Sequence, residues 1–230
     1  MTMVLNPPEE RVVLRNLSWE TYERLLSEKG DDRSPRFTFD GGVLEIMSPL
    51  PEHERWNLRI ADLVGVLADE MNVEAEGFGA TTFKREDLER GFEPDSCFYI
   101  QNVERLRGKE RIDLETDPPP DLVIEIEITR SSIRKLPLFA AFGVPEVWRY
   151  DGTGVSIFRL EHGKYDEIPE SAVFPGVSSL WLAALLERGR PLGRTGWLRL
   201  ARTSARERYG SRELGRKGPD SGSGTSAGVN

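Results

Sequence analysis

The residues best placed to do chemistry lie between Asp121 and Lys135, in the stretch DLVIEIEITRSSIRK. Leu122, Ile124, Ile126 and Ile128 alternate as one face of a half-buried strand, and Asp121, Val123, Glu125, Glu127 and Thr129 fall on the other. Two carboxylates two residues apart on a strand project the same way, roughly 6.5–7 Å apart along it. Unopposed, such a pair repels and raises its own pKa values. A hard cation removes the repulsion, because Mg²⁺ favours carboxylate oxygens and retained waters. Lys135 follows at the start of what should be a helix. Two acids and a lysine facing one cleft are the parts for metal-assisted phosphodiester cleavage. The bland reading is a solvated sheet face for Glu125 and Glu127, with Lys135 an ordinary surface residue.

The elements around this strand follow from pattern. Ser18 caps a short helix beginning WETYERLL. RFTFDGGVLEIMS reads as a β-hairpin turning at Asp40-Gly41-Gly42. From Pro51, Trp56, Ile60, Leu63, Val64 and Leu67 recur at spacings of three and four, which predicts a long helix. Glu52, His53 and Glu54 lie in its first turn, where acids also complement the helix dipole. Two strand candidates follow, the second opening at Pro94-Asp95. The polar run from Gln101 to Pro120 reads as a surface loop. After the acidic strand, TRSSIRKLPLFAAFG predicts a short helix capped by Ser131 or Ser132 and closed by Gly143, with Pro137 in its first turn. Two strands joined at Asp151-Gly152-Thr153, an edge strand near YDEIPES and a final helix SSLWLAALLERG complete the body. This order predicts an α/β (α+β) fold, a mixed central sheet flanked by helices.

Length and composition bound the rest. The chain has 230 residues, 38% of them hydrophobic. The expectation is one domain over residues 1–187 and a basic, Gly/Ser-rich, disordered tail over 188–230. From Arg188 on there are ten basic and three acidic residues, so the tail carries +7 and the body −15, together the net −8. An acidic body disfavours broad, charge-driven nucleic-acid binding, although clustered acids that hold a metal invert the local field. A lone cysteine, Cys97, permits no internal disulfide. The N-terminus lacks the pattern of a signal peptide, and no stretch reaches the roughly 20 apolar residues of a membrane span. The reading is a soluble, cytoplasmic protein without a membrane partner.

Taken alone, Asp95 is an acid after a proline, a common turn or cap residue. In combination, EPDSCFYI, the E-x-E strand in PPPDLVIEIEIT, and SSIRKLPLFAAFGVPEVWRYDG resemble the Uma-two family of restriction endonucleases, part of the PD-(D/E)XK nuclease superfamily. GGVLEIMSPLPEHE, before the long helix, matches the family's N-terminal signature, and the resemblance spans roughly Leu17 to Leu186. It implies a restriction-endonuclease-like core with a metal site. Asp95 takes the place of the PD acid and Glu125 that of the (D/E)XK acid. Where the superfamily pattern expects lysine the chain has Glu127, and Lys135 occupies the place of a lysine displaced to the following helix. Glu127 then becomes an extra ligand or a neighbour holding Lys135 charged, and His53 a metal or phosphate contact or a helix cap.

The implied activity is Mg²⁺- or Mn²⁺-dependent endonucleolytic hydrolysis of DNA. Asp95 and Glu125, with Glu127 and His53 as further candidate ligands, would hold the metal, and Lys135 would orient the attacking water. One site per chain leaves a homodimer open as the way to cut both strands. Two rivals stand beside this reading. The chain could keep a nuclease fold as a catalytically inactive binding or scaffold protein, or two acids at that spacing could serve an inverting glycosidase. The second rival needs aromatic sugar platforms, and Trp56, Trp148 and Trp181 fall at core-like positions.

Overall fold

In a computed structural model of the protein, residues 9–30, 32–128 and 131–209 are described. The expectations for the first eight residues and for the tail beyond residue 209 lie outside the described residues.

The strand at the centre is flanked on both sides, and the chain order explains why. β1 (Glu9–Arg15) is followed by α1 (Trp19–Lys29), whose cap is Ser18: its Oγ accepts the Thr21 N–H. The hairpin β2 (Arg36–Asp40) and β3 (Val43–Pro49) turns at Gly41 and Gly42, both at positive φ. α2 runs over Pro51–Met71, with proline in its first turn, where a missing N–H costs nothing. Short strands β4 (Glu76–Gly77), β5 (Phe83–Arg85) and β6 (Arg90–Phe92) lead to β7 (Ser96–Tyr99), the four-residue α3 (Val103–Leu106) and β8 (Leu122–Ile126). α4 (Lys135–Ala141), β9 (Glu146–Tyr150), β10 (Val155–Glu161), β11 (Lys164–Ile168), α5 (Ser179–Gly189) and α6 (Arg194–Tyr209) complete the order.

There are two sheets rather than a single one. A six-stranded sheet runs β11-β10-β9-β8-β7-β4, and an antiparallel five-stranded sheet runs β1-β3-β2-β6-β5. Within the first, β8 and β9 are parallel and every other pairing is antiparallel, so the expected mixed central sheet is present. The fold is mixed α/β, with both sheets flanked by helices.

β8 differs from the half-buried strand that its alternation predicts, because both of its faces are buried. Leu122, Ile124 and Ile126 pack with Trp56, Ile60 and Leu63 of α2, while Val123 packs with Leu138 and Phe139 of α4 and with Phe83 and Phe92 of the second sheet. A carboxylate on the α4 face of this strand is therefore placed inside the protein. The third cluster fixes α1 on the second sheet, where Tyr22 stacks on Phe39 at 4.7 Å. Gly91 is required there: a Cβ at that position would lie 2.1 Å from the Tyr22 hydroxyl.

The expected domain end at residue 187 also needs correction. α6 continues the folded body, burying Trp197, Ala201, Ser204, Ala205 and Tyr209 at helical spacing. It packs on α2, with Arg194, Arg202 and Arg206 paired to Asp62, Asp69 and Glu70 and with Trp197 Nε1 donating to the Arg59 carbonyl at 3.1 Å. The arginines that made this stretch read as a solvated tail instead meet the acidic flank of α2, and small side chains on the buried face let the two helices approach. Gly189 allows the turn between α5 and α6, since a Cβ there would lie 2.5 Å from the Trp197 ring. No helix among the described residues is long and apolar enough to cross a membrane.

Candidate active site

β7 and β8 run antiparallel with Ser96 opposite Ile124, so Asp95, one residue before, comes level with Glu125, one residue after. Asp95 Oδ2 accepts the Ile126 N–H at 2.7 Å, which fixes that carboxylate beside the Glu125 backbone. Both acids are buried, Asp95 2% and Glu125 4% exposed, which rules out the solvated-face reading of Glu125.

Asp95 is surrounded by donors. Arg36 Nη1 donates to its Oδ1 at 2.5 Å, and His53 Nε2 lies 3.2 Å from its Oδ2. Arg36 Nη2 donates to Glu54 at 2.5 Å, and Glu54 lies 3.8 Å from His53 Nδ1. Asn57, one turn along α2, donates to the Asp95 carbonyl at 3.0 Å and accepts the Ser96 hydroxyl at 2.8 Å. Burial alone would raise the Asp95 pKa, but the His53 hydrogen bond and the Arg36 charge outweigh it and hold the carboxyl well below the usual range. His53 moves the other way. Burial would lower it, but the carboxylates of Asp95 and Glu54 beside its two ring nitrogens raise it to about 9. His53 thus sits in the site as the wholly buried partner of Asp95.

Glu125 has fewer partners. Lys135 Nζ donates to its Oε2, while its Oε1 is buried without a hydrogen-bond partner among the described residues. Burial pushes this carboxyl up and the Asp95 charge adds to the effect, so that it reaches about 7 despite Lys135 and Arg36. Lys135 is raised too: burial would lower it, but the charges of Glu125 and Asp95 outweigh that. Those two acids, not Glu127, keep the lysine charged. Glu127 stays outside the buried cluster, lining the same cleft as Glu125 and pairing with Arg149 at 3.4 Å.

The acids open to different clefts. Glu125 and Lys135 line one of about 610 Å³ with Glu127, Ser131, Arg134 and Arg149. Asp95 lines another of about 450 Å³ with Arg33, Arg36, Glu54 and Asn57. The ion cluster is the wall between them.

Glu45 is a residue that sequence reasoning missed. It is 1% exposed on β3, accepts Arg11 Nη1, and takes the Ser131 hydroxyl at 2.8 Å and the Ser132 N–H at 2.6 Å. It ties the segment that delivers Lys135 to the second sheet. The serines are therefore engaged by Glu45 and do not cap α4, whose N-cap is Arg134 with no side-chain capping bond. The available signal was an acid inside the otherwise apolar run Val43-Leu44-Glu45-Ile46-Met47. Arg36 and Glu54 gave none beyond a strand start and a helix first turn.

The donor chemistry suits a divalent cation at the two acids: among the described residues Glu125 Oε1 is an orphaned buried carboxylate oxygen, and Asp95 Oδ1 keeps a lone pair beyond its bond to Arg36, while Oδ2 is taken by the Ile126 N–H and His53. Among the described residues no cluster of three or more His, Cys, Asp or Glu side chains forms a metal cage on its own.

A mixed sheet with level acids on two central strands and a lysine brought in by the next helix belongs to the restriction-endonuclease-like class. A crystal structure of "a putative nuclease belonging to DUF820" from Anabaena variabilis ATCC 29413 aligns with a TM-score of 0.50 at 15% identity, covering 79% of this chain and 99% of that one, a likeness of fold. Residues 19–187 match the model of the Uma2 (Uma-two) family, described as "Putative restriction endonuclease", and the chain belongs to that family. No curated protein matches the sequence.

Proposed function

We propose that the protein is a metal-dependent endonuclease that hydrolyses phosphodiester bonds of DNA, with Asp95 and Glu125 holding Mg²⁺ or Mn²⁺ and Lys135 beside them. The observation that carries this reading is the buried Oε1 of Glu125, without a partner among the described residues, next to a charged lysine and level with a second carboxylate. An uncompensated carboxylate oxygen in the interior is costly, and a cation relieves that cost. When bound there, the metal would supply a polarised phosphate and a water of lowered pKa.

The chain's own groups do the rest. Arg36 and His53 keep Asp95 ionised, so one ligand is charged at any working pH. Lys135 holds its proton and offers an ammonium to the charge that develops on the phosphate oxygens. Glu45 keeps the Lys135 segment in place. Arg149 holds Glu127 at the cleft wall, as a residue that meets substrate or solvent there.

The test is nicking of supercoiled plasmid DNA by the full chain with Mg²⁺ or Mn²⁺ and with EDTA, repeated on Asp95→Ala and Glu125→Ala. The expected result is cleavage by the wild type only, and only with metal. Full cleavage by either variant would sink the site assignment.

A second reading, a nuclease-fold binding or scaffold protein without activity, is favoured by one observation: both oxygens of Asp95 already have partners in Arg36, His53 and the Ile126 N–H. Calorimetry separates the two readings. No heat of binding with millimolar Mg²⁺ or Mn²⁺, together with no cleavage of DNA or RNA, favours the inactive protein.

A further inference from the structure

A third cleft, of about 410 Å³, lies between α2 and the turn joining α5 to α6, and its lining is cationic although the chain is acidic overall. Arg55, Arg59, Arg190 and Arg194 face it with a single acid, Asp62, which is paired to Arg194 at 2.8 Å. Two of the guanidinium groups are fixed. Arg59 donates to the Gly189 carbonyl at 2.7 Å and to the Leu192 carbonyl, and Arg190 lies over the Trp56 ring at 4.8 Å, with Glu187 at 2.8 Å.

These contacts give Arg59, Arg190 and Arg194 structural work, but Arg55 has none. It is exposed and has no hydrogen bond or ion pair among the described residues. Burial and the like charges of Arg55 and Arg190 lower the Arg59 pKa, so the cluster is under electrostatic strain that an anion would relieve. The cleft also adjoins the site. Arg190 donates to the Gly152 carbonyl at 3.0 Å, and the neighbouring Asp151 lines the Glu125 cleft. Leu58, 60% exposed, is shared with the cleft that holds Asp95.

We propose that this arginine cleft binds a phosphate group of a nucleic-acid backbone, seating the strand beside the acid cluster; the choice of a nucleic acid as the carrier rests on the nuclease reading above. Planar guanidinium groups suit phosphate oxygens, and two of them held in place lose little entropy on binding. The cleft also gives an acidic protein a local excess of positive charge with which to hold a polyanion.

The test uses the full chain in EDTA, so that it does not depend on cleavage, and reads fluorescence anisotropy of a short labelled DNA duplex. Arg55→Glu should raise Kd about tenfold or more and reduce the salt slope by about 1. Arg194→Gln should act in the same direction, and thermal melting of both variants checks that they are folded. Arg24→Glu, an equal charge change on the exposed face of α1, should leave Kd within about twofold. Equal losses from Arg55→Glu and Arg24→Glu, or no loss from Arg55→Glu, would overturn the proposal. Inorganic phosphate distinguishes the carrier: it should compete with the duplex and raise the melting temperature of the wild type but not of Arg55→Glu. Phosphate stabilisation that needs Arg55, combined with duplex binding that ignores it, would overturn the nucleic-acid carrier and leave a free-phosphate site.

Discussion

Asp95 and Glu125 stand level on neighbouring strands and are equally buried, yet they are held in opposite protonation regimes. The Asp95 end is rich in donors: a guanidinium, an imidazole and a backbone N–H converge on one carboxylate. The Glu125 end is open, with one oxygen on Lys135 and the other without a partner among the described residues. Burial is the same, so the number of donors decides the sign of the shift. The protein stabilises one permanent negative charge and leaves a second conditional, which on the proposed reading lets two ligands stand together both with and without a cation.

The largest effect that could break this contrast is on activity. If Glu125 is the conditional ligand, Glu125→Gln should reduce metal-dependent nicking to background while metal-free stability, read by urea unfolding, stays level or rises. The amide removes a charge that burial disfavours and keeps the shape, while the charge of Asp95 still faces Lys135. A large loss of stability would show that Glu125 is already satisfied without metal.

The Asp95 end should behave in reverse. Arg36→Met strands two buried or half-buried carboxylates, Asp95 and Glu54, and should cost about 3–5 kcal/mol by the same urea titration. A change below about 1 kcal/mol would mean that His53 and the Ile126 N–H suffice alone. Trp197→Ala asks whether this end leans on the helix that carries His53. Trp197 is wholly buried between α6 and α2, and its truncation should cost about 3–5 kcal/mol. For the same reason, a chain cut back to residue 187 would lose the support of α2 along with α6.

A pH series in EDTA separates the ends by sign. The folded Glu125 value of about 7 lies above its ordinary 4.5, so ionising it opposes folding, and stability should fall as pH rises from about 4.5 through 7. The Glu125→Gln variant should lack that fall, worth up to about 3 kcal/mol. His53, raised from 6.5 to about 9, contributes stability that is complete below 6.5 and lost as pH rises through 9. Asp95 is lowered from 3.8, so its contribution is present above that value and lost in acid. Unfolding midpoints of wild type and variant that run parallel between pH 4.5 and 7 would contradict the contrast.

The contrast was only half legible in the sequence. Alternation around Ile124 and Ile126 marked β8 with its Glu125, and Lys135 stood within reach of the strand, but Asp95 joined them only through the family resemblance, since an acid after Pro94 reads locally as a turn or cap residue. What decides their charge comes from elsewhere. Arg36 reaches Asp95 across 59 residues of chain and Glu45 reaches Ser132 across 87, and no periodicity encodes such meetings. The same holds for α6: its buried face is mostly alanine and serine, so its arginines dominated the composition, and the acidic flank of α2 that they answer lies more than a hundred residues away. β1 escaped notice for a related reason, since its apolar Val12 and Leu14 are exposed and its Arg11 points inward to Glu45.

Glu127 gives the smallest expected effect and the sharpest check on where the cluster ends. It shares a strand face with Glu125 in the sequence pattern, but it lies beyond the end of β8, with its side chain 31% exposed beside Arg149. An ion pair that wet contributes at most about 1 kcal/mol, so Glu127→Gln should leave urea unfolding nearly unchanged. Nicking should fall less than about tenfold, because the charge of Lys135 is kept by Glu125 and Asp95. If Glu127→Gln instead removes cleavage as completely as Glu125→Gln, then Glu127 turns into the site when metal and DNA are bound, and the two acids of the strand act as one pair.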